Sequence, residues 1–99
     1  MFTVIRTVVA QPGKMHALVV CLKDLAEYNH KIIGRHGTIA TSVGGNFAEV
    51  SYIWQLESLP EMDTDLAKLH ADRGYHEKQS KVGALIMGGM SREHIYRHA

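Results

Sequence analysis

The stretch NFAEVSYIWQLESLPEMD, residues 46–63, constrains the fold of this chain more than any other. From Phe47 the side chains alternate. Ala48, Val50, Tyr52, Trp54 and Leu56 fall on one side, and Phe47, Glu49, Ser51, Ile53, Gln55 and Glu57 on the other. A period of two is that of a strand. One side is wholly apolar and the other mixed, so this strand belongs to a sheet with one dry face and one face of different use. The run then enters Ser58-Leu59-Pro60-Glu61, which has the S-x-x-E form of a capping box with proline in the first turn. The spacing predicts that the Ser58 side chain accepts from the Glu61 amide while Glu61 reaches back. Glu61, Asp63 and Asp65 suit the positive end of a helix dipole.

The remaining elements follow from period and punctuation. Residues 2–10, rich in β-branched side chains, predict a strand, and Gln11-Pro12-Gly13 a turn. Met15, Leu18, Val19, Leu22, Leu25, Ala26, Asn29, Ile32 and Ile33 then form one stripe of a helix about five turns long. Gly34 and Gly37 are its stop signals. Thr38 to Val43 predicts a second strand, joined to the third by a hairpin turn at Gly44-Gly45-Asn46. After the third strand, Met62, Leu66 and Leu69 mark a second helical region. Gly74 interrupts it, and a further piece over 75–86 carries Tyr75, Gln79, Val82 and Ile86. Gly88-Gly89 turns the chain into a polar fourth strand, Ser91 to His98.

The order β-α-β-β-α-β predicts an α+β, ferredoxin-like fold over residues 1–99 as a single domain: a four-stranded antiparallel sheet with two helices on one face. The other face has a central patch of about 300 Å² at ordinary strand spacing, near the largest apolar patch of a typical monomer. Phe47 and Ile53 make part of it apolar, so a homodimer through the sheet face is expected. A chain of 99 residues also buries too little surface to be more than marginally stable alone.

Composition narrows the classes of function. The net charge is +1 and Lys and Arg are scattered, which gives no nucleic-acid footprint. No apolar run reaches the ~20 residues of a membrane span, and the N-terminus lacks the pattern of a signal peptide. The single Cys21 permits no intrachain disulfide and is read as packing, so a cytoplasmic location is expected. Seven histidines are unusual, but none has the spacing of a metal site. His70 and His76 are about 240° apart around a helix, and His94 and His98 about 13 Å apart along a strand. No nucleotide, flavin or metal motif is present, and no cofactor is expected. Arg6, inside the first strand, needs a partner if buried, and Glu49 on a neighbouring strand is the expected one.

The element order, and especially Val50-Ser51-Tyr52-Ile53-Trp54-Gln55-Leu56-Glu57-Ser58-Leu59 with the later Lys81-Val82-Gly83, resembles the dimeric α/β-barrel superfamily and within it the NIPSNAP-like proteins. The resemblance implies two ferredoxin-like protomers joined through their sheets. That superfamily includes cofactor-free monooxygenases, haem-degrading enzymes, isomerases and proteins without an assigned reaction, so fold does not give function. In related cofactor-free monooxygenases a Trp on this strand lines a pocket, with an Asn shortly before it on the same face. Here those positions hold Val50 and Tyr52. The haem enzymes use a His on the second helix, which His70 or His76 matches, and an Asn on the first strand, which this strand lacks.

The candidate site is therefore Trp54, Tyr52, Tyr75 and His76 as ligand-binding residues, with His76 or His70 as candidate general base near neutral pH. The expected function is binding of a small, flat organic ligand between sheet and helices by a NIPSNAP-like dimer. The alternative is a cofactor-independent monooxygenase or isomerase of small aromatic or polyketide-like substrates.

Overall fold

The computed structural model describes residues 1–99. In chain order the elements are β1 (Phe2–Val9), α1 (Met15–Ile33), β2 (Thr38–Thr41), β3 (Glu49–Leu56), α2 (Pro60–His70), α3 (Arg73–Gly83) and β4 (Arg92–Arg97). The strands form one antiparallel sheet in the order β2-β3-β1-β4. This is the ferredoxin-like α+β arrangement, with a third helix where the sequence suggests one interrupted segment.

Register decides which side chains meet the helices. Val4, Arg6 and Val8 stand opposite Trp54, Tyr52 and Val50, and residues directly opposite share a face. On α1, Leu18, Leu22, Leu25, Ala26 and Asn29 are buried, which is the expected stripe. Val8, Val50, Leu18, Leu22 and Leu25 build the core with Leu69 of α2 and Tyr75 and Val82 of α3. Each fully buried aliphatic side chain contributes about 1.5–3 kcal/mol. Gly34 ends α1 in the left-handed region at φ 73°, and its N–H donates to the His30 carbonyl at 2.8 Å.

Four expectations are corrected. First, β3 starts at Glu49, and Phe47 lies outside it, 67% exposed. The Asn46 side chain accepts from the Ala48 amide and the Asn46 carbonyl from the Glu49 amide, so the chain curls before it joins the ladder. Second, the helix break falls at Ala71-Asp72 rather than at Gly74. Asp72 has extended backbone (φ −103°, ψ 122°), and its carboxylate accepts from the Tyr75 amide at 2.9 Å, a fresh N-cap. Gly74 lies inside α3 because the Tyr28 hydroxyl sits 2.1 Å from where a Cβ would be. Third, only half of the capping box forms. Glu61 Oε2 accepts from the Glu57 and Ser58 amides, both at 2.8 Å, while the Ser58 hydroxyl caps nothing. Fourth, Arg6 faces the helices and pairs with Glu93 at 2.5 Å; Glu49 points to the opposite face and pairs with Arg92. Strand parity forces this, since Glu49 is opposite Val9 and so shares a face with the odd-numbered residues of β1.

The second face of the sheet is uncovered within the chain. Its polar groups are largely satisfied internally: Thr7 Oγ1 and Ser51 Oγ are 2.9 Å apart, and Thr3 Oγ1 and His98 Nε2 2.6 Å. Ile5, Ile53 and Tyr96 leave apolar surface between them, with Tyr96 55% exposed. No helix is long and apolar enough to cross a membrane.

Two outcomes test this account. Gly74→Ala should lose about 1–3 kcal/mol in chemical denaturation, the usual cost of overpacking, although alanine is the better helix former. In a Tyr28→Ala background the same change should become neutral or stabilising. A loss that is the same in both backgrounds would show that Tyr28 is not the obstacle.

Acid should also act through named groups. The Ser58 amide above all holds the Glu61 carboxyl below its usual range, and the Tyr28 hydroxyl above all does the same for Asp72. A depressed folded pKa contributes stability above the unfolded value of about 4, and the contribution is lost as pH falls through the folded value. Stability should therefore decline below about pH 4, and Asp72→Asn should flatten part of that decline. Ser58→Ala should stay within about 0.5 kcal/mol of wild type, with Glu61→Ala the more damaging change.

Candidate functional site

A cavity of about 250 Å³ lies between the helix-facing side of β1 and β3 and the three helices. Its origin is a difference in how the helices rest. α1 lies against β2 and β3, whereas α2 and α3 pack on α1 and on each other. Above Arg6 and Trp54 the layer is therefore roofed without being filled. The walls are mostly apolar, with Leu22 and Leu25 from α1, Met62 and Leu66 from α2, and Val82 and Ile86 from the α3 end.

The aromatic wall comes from β3 and α3. Tyr52 and Trp54, two apart on β3, point the same way and meet edge to face with centroids 5.3 Å apart. The Tyr52 ring is held on another side by Gly37, where a Cβ would lie 2.3 Å from the ring. Gly37 is thus a close-approach glycine, a role that its reading as a helix stop does not contain. Asn29 Nδ2 donates to the Tyr52 hydroxyl at 3.2 Å. Burial pushes the Tyr52 phenol up from its ordinary value, with the Asn29 hydrogen bond opposing, so it stays neutral. Tyr75, 5% exposed, adds its ring from α3.

Two arginines reach the cavity wall, and each is answered by acid. Arg6 donates to Glu93 through Nε and Nη2, and its guanidinium lies 5.8 Å from the Trp54 ring centre. Arg35 donates through Nε to the buried Asp65 and lies 3.3 Å from Glu61. Asn29 is buried too, and its Oδ1 has no partner.

Of the residues singled out from the sequence, the fold brings Tyr52, Trp54 and Tyr75 to one cavity. His70 and His76 are exposed and stand outside its wall. The Nε2 of His76 is 2.6 Å from the His70 carbonyl, and the two rings lie 6.0 and 5.5 Å from Tyr75, backing it from outside. Sequence reasoning missed Arg6 as a wall residue, and also Asn29, Arg35, Asp65 and Gln79. Asn29 carried a legible signal, a polar residue in an apolar helical stripe. Asp65 carried none beyond its reading as a helix-start charge, and Arg35, just past the end of α1, carried none. No group of three or more His, Cys, Asp or Glu converges to hold a metal ion.

No family model and no curated protein matches the sequence. Among solved structures, a NIPSNAP family protein of unknown function from Agrobacterium tumefaciens is 26% identical, with a TM-score of 0.86 covering 100% of this chain and 88% of that one. An uncharacterised NIPSNAP domain protein from Burkholderia xenovorans is 16% identical, with a TM-score of 0.83 over 100% of this chain and 95% of the other. More distant is a candidate antibiotic biosynthesis monooxygenase from Nitrosomonas europaea, 12% identical, with a TM-score of 0.74 over 99% of this chain and 98% of that one. Over its whole length, then, the chain is similar in structure to NIPSNAP family proteins and shares the fold of that candidate monooxygenase.

Proposed function

We propose that this chain binds a small, flat organic molecule in the cavity between sheet and helices, and does so as a homodimer joined through the open sheet face. The observation that carries the first part is the cavity wall itself. An apolar enclosure with a few polar groups is what a small-molecule site usually contains, and about 250 Å³ lies just below the common range of ~300–1,000 Å³. A wall of Trp54, Tyr52 and Tyr75 supplies flat faces for a ring. Ligand contact is assigned to these three, and His70 and His76 to support of Tyr75.

Trp54 is the only tryptophan in the chain, so its emission reports the site directly. A bicyclic aromatic such as naphthalene should shift that emission and raise the melting temperature. At 100 times Kd the stabilisation is about 2.7 kcal/mol. The double variant Leu66→Phe/Ile86→Phe should fold and lose both effects. If it binds like wild type, the cavity is not the site.

A second reading is a cofactor-independent monooxygenase or isomerase of small aromatic or polyketide-like substrates. It is favoured by the fold shared with the candidate monooxygenase from Nitrosomonas europaea and by neutral hydrogen-bonding groups in an apolar wall. Oxygen uptake with small quinols, absent in Trp54→Phe, would support it.

The dimer rests on the uncovered face, where Ile5, Ile53 and Tyr96 lie among polar groups already paired within the chain. Burying at least ~1,200 Å² in total is expected. Light scattering should give twice the chain mass at micromolar concentration, and a stable monomer there would rule the assembly out. The half-buried lone Cys21 fits a reducing, cytoplasmic setting.

A further inference from the structure

We infer that the ligand is an uncharged ring compound bearing a carbonyl group, its oxygen held by the phenol hydroxyls of Tyr52 and Tyr75; this rests on the ligand-binding role proposed above. The argument begins with charge. The cations at the wall are Arg6 and Arg35, and neither is free. Glu93 takes Nε and Nη2 of Arg6, and Asp65 with Glu61 surrounds Arg35. A carboxylate entering this space would be dehydrated without an unpaired cation, and the Asp65 carboxylate already stands in the wall. An ammonium ligand is no better served, because Asp65 and Glu93 already accept from their arginines.

Of the neutral groups at the wall, the Tyr52 and Tyr75 hydroxyls have no acceptor and the buried Asn29 Oδ1 has no donor. The Tyr52 oxygen accepts from Asn29, which leaves its own hydrogen free to donate. Tyr75 is 5% exposed, and its hydroxyl, bonded to nothing in the chain, keeps contact with solvent. Two phenols, one from β3 and one from α3, are thus donors at one cavity without acceptors. Burial and the proximity of Tyr75 both hold Tyr52 in its protonated, donating form. A purely hydrocarbon ligand would leave both donors unpaired as it displaced water, a cost that a carbonyl oxygen, with two lone pairs, removes.

The donors are also preorganised. Gly37 and Trp54 bracket the Tyr52 ring, Asn29 fixes its oxygen, and His70 and His76 back the Tyr75 ring. Little ordering remains to be done when the ligand arrives.

The test uses three probes with one bicyclic frame: α-tetralone, tetralin and the carboxylate of tetralin. Titration calorimetry with the full chain should rank α-tetralone tightest and the carboxylate weakest. Tyr52→Phe and Tyr75→Phe should each weaken α-tetralone about 2- to 12-fold, the worth of one hydrogen bond, and bind tetralin as tightly as wild type or tighter, because the donor that tetralin strands is gone. If tetralin binds as tightly as α-tetralone, or the carboxylate binds most tightly, the carbonyl inference falls while the cavity still stands as a site. If none of the three binds at millimolar concentration, both fall. Should Tyr75→Phe fail to fold, the ranking of the three probes on the wild-type chain decides the matter without it.

Discussion

Asp72 stands where α2 ends and α3 begins, and two donors from different helices share its carboxylate. Tyr28 of α1 donates its hydroxyl at 2.5 Å, and the Tyr75 amide in the first turn of α3 donates at 2.9 Å. A helix that ran on through this point would carry α3 along the axis of α2. The extended backbone at Asp72 breaks that line, and the side-chain cap replaces the hydrogen bond that the break removes. The new helix then starts in the register that turns Tyr75 and Val82 inward. Tyr28 can reach the carboxylate only past a residue with no side chain, which accounts for glycine at position 74 inside a helix. The placement of one wall of the cavity thus follows from a local cap.

That joint ties α3 to α1 rather than to the sheet, and the consequence appears along the helix-facing side of the strands. The row Val8–Val50 is dry and packs under α1 with Leu18, Leu22 and Leu25. The next row, Arg6–Tyr52, is larger and polar at its tips, and beside Val4 stands Trp54. Above this row α2 and α3 rest on α1 and on each other, and the space below them is left partly unfilled. One end of the layer therefore supplies most of the cohesion, and the other encloses a cavity. The two ends use the same strands and the same parity.

Much of this was legible in the sequence, for a physical reason. A period-two run bounded by turn residues fixes a strand and its faces, so Val50, Tyr52, Trp54 and Leu56 could be placed together without coordinates. The long stripe of α1, the order of elements and the family likeness follow from equally redundant signals. Single-residue chemistry was harder. Ser58 has the capping-box spacing, but that pattern does not fix which half of the box forms. Gly74 looked like a breaker, because a glycine required by a neighbour's hydroxyl is indistinguishable in sequence from one required by its own backbone. The position of His76 depended on the phase of α3, which Asp72 resets. Asp65 and Arg35 are joined across thirty residues, and nothing local announces a pair at that distance.

Charge shows best how far parity carries. Arg6 and Glu49 look like partners on adjacent strands, yet they stand on opposite faces, and no side-chain rotation brings them together. Each is instead matched by the edge strand, Arg6 by Glu93 on the helix side and Glu49 by Arg92 on the open side. Consecutive residues of β4 thus neutralise one charge on each face. On the open face this leaves neither Glu49 nor Arg92 unpaired. On the helix face it answers the one arginine of β1 that borders the cavity. The character of the cavity, then, is set partly by a strand whose own residues are all exposed, and which also lines the edge with charge that discourages stray strand pairing.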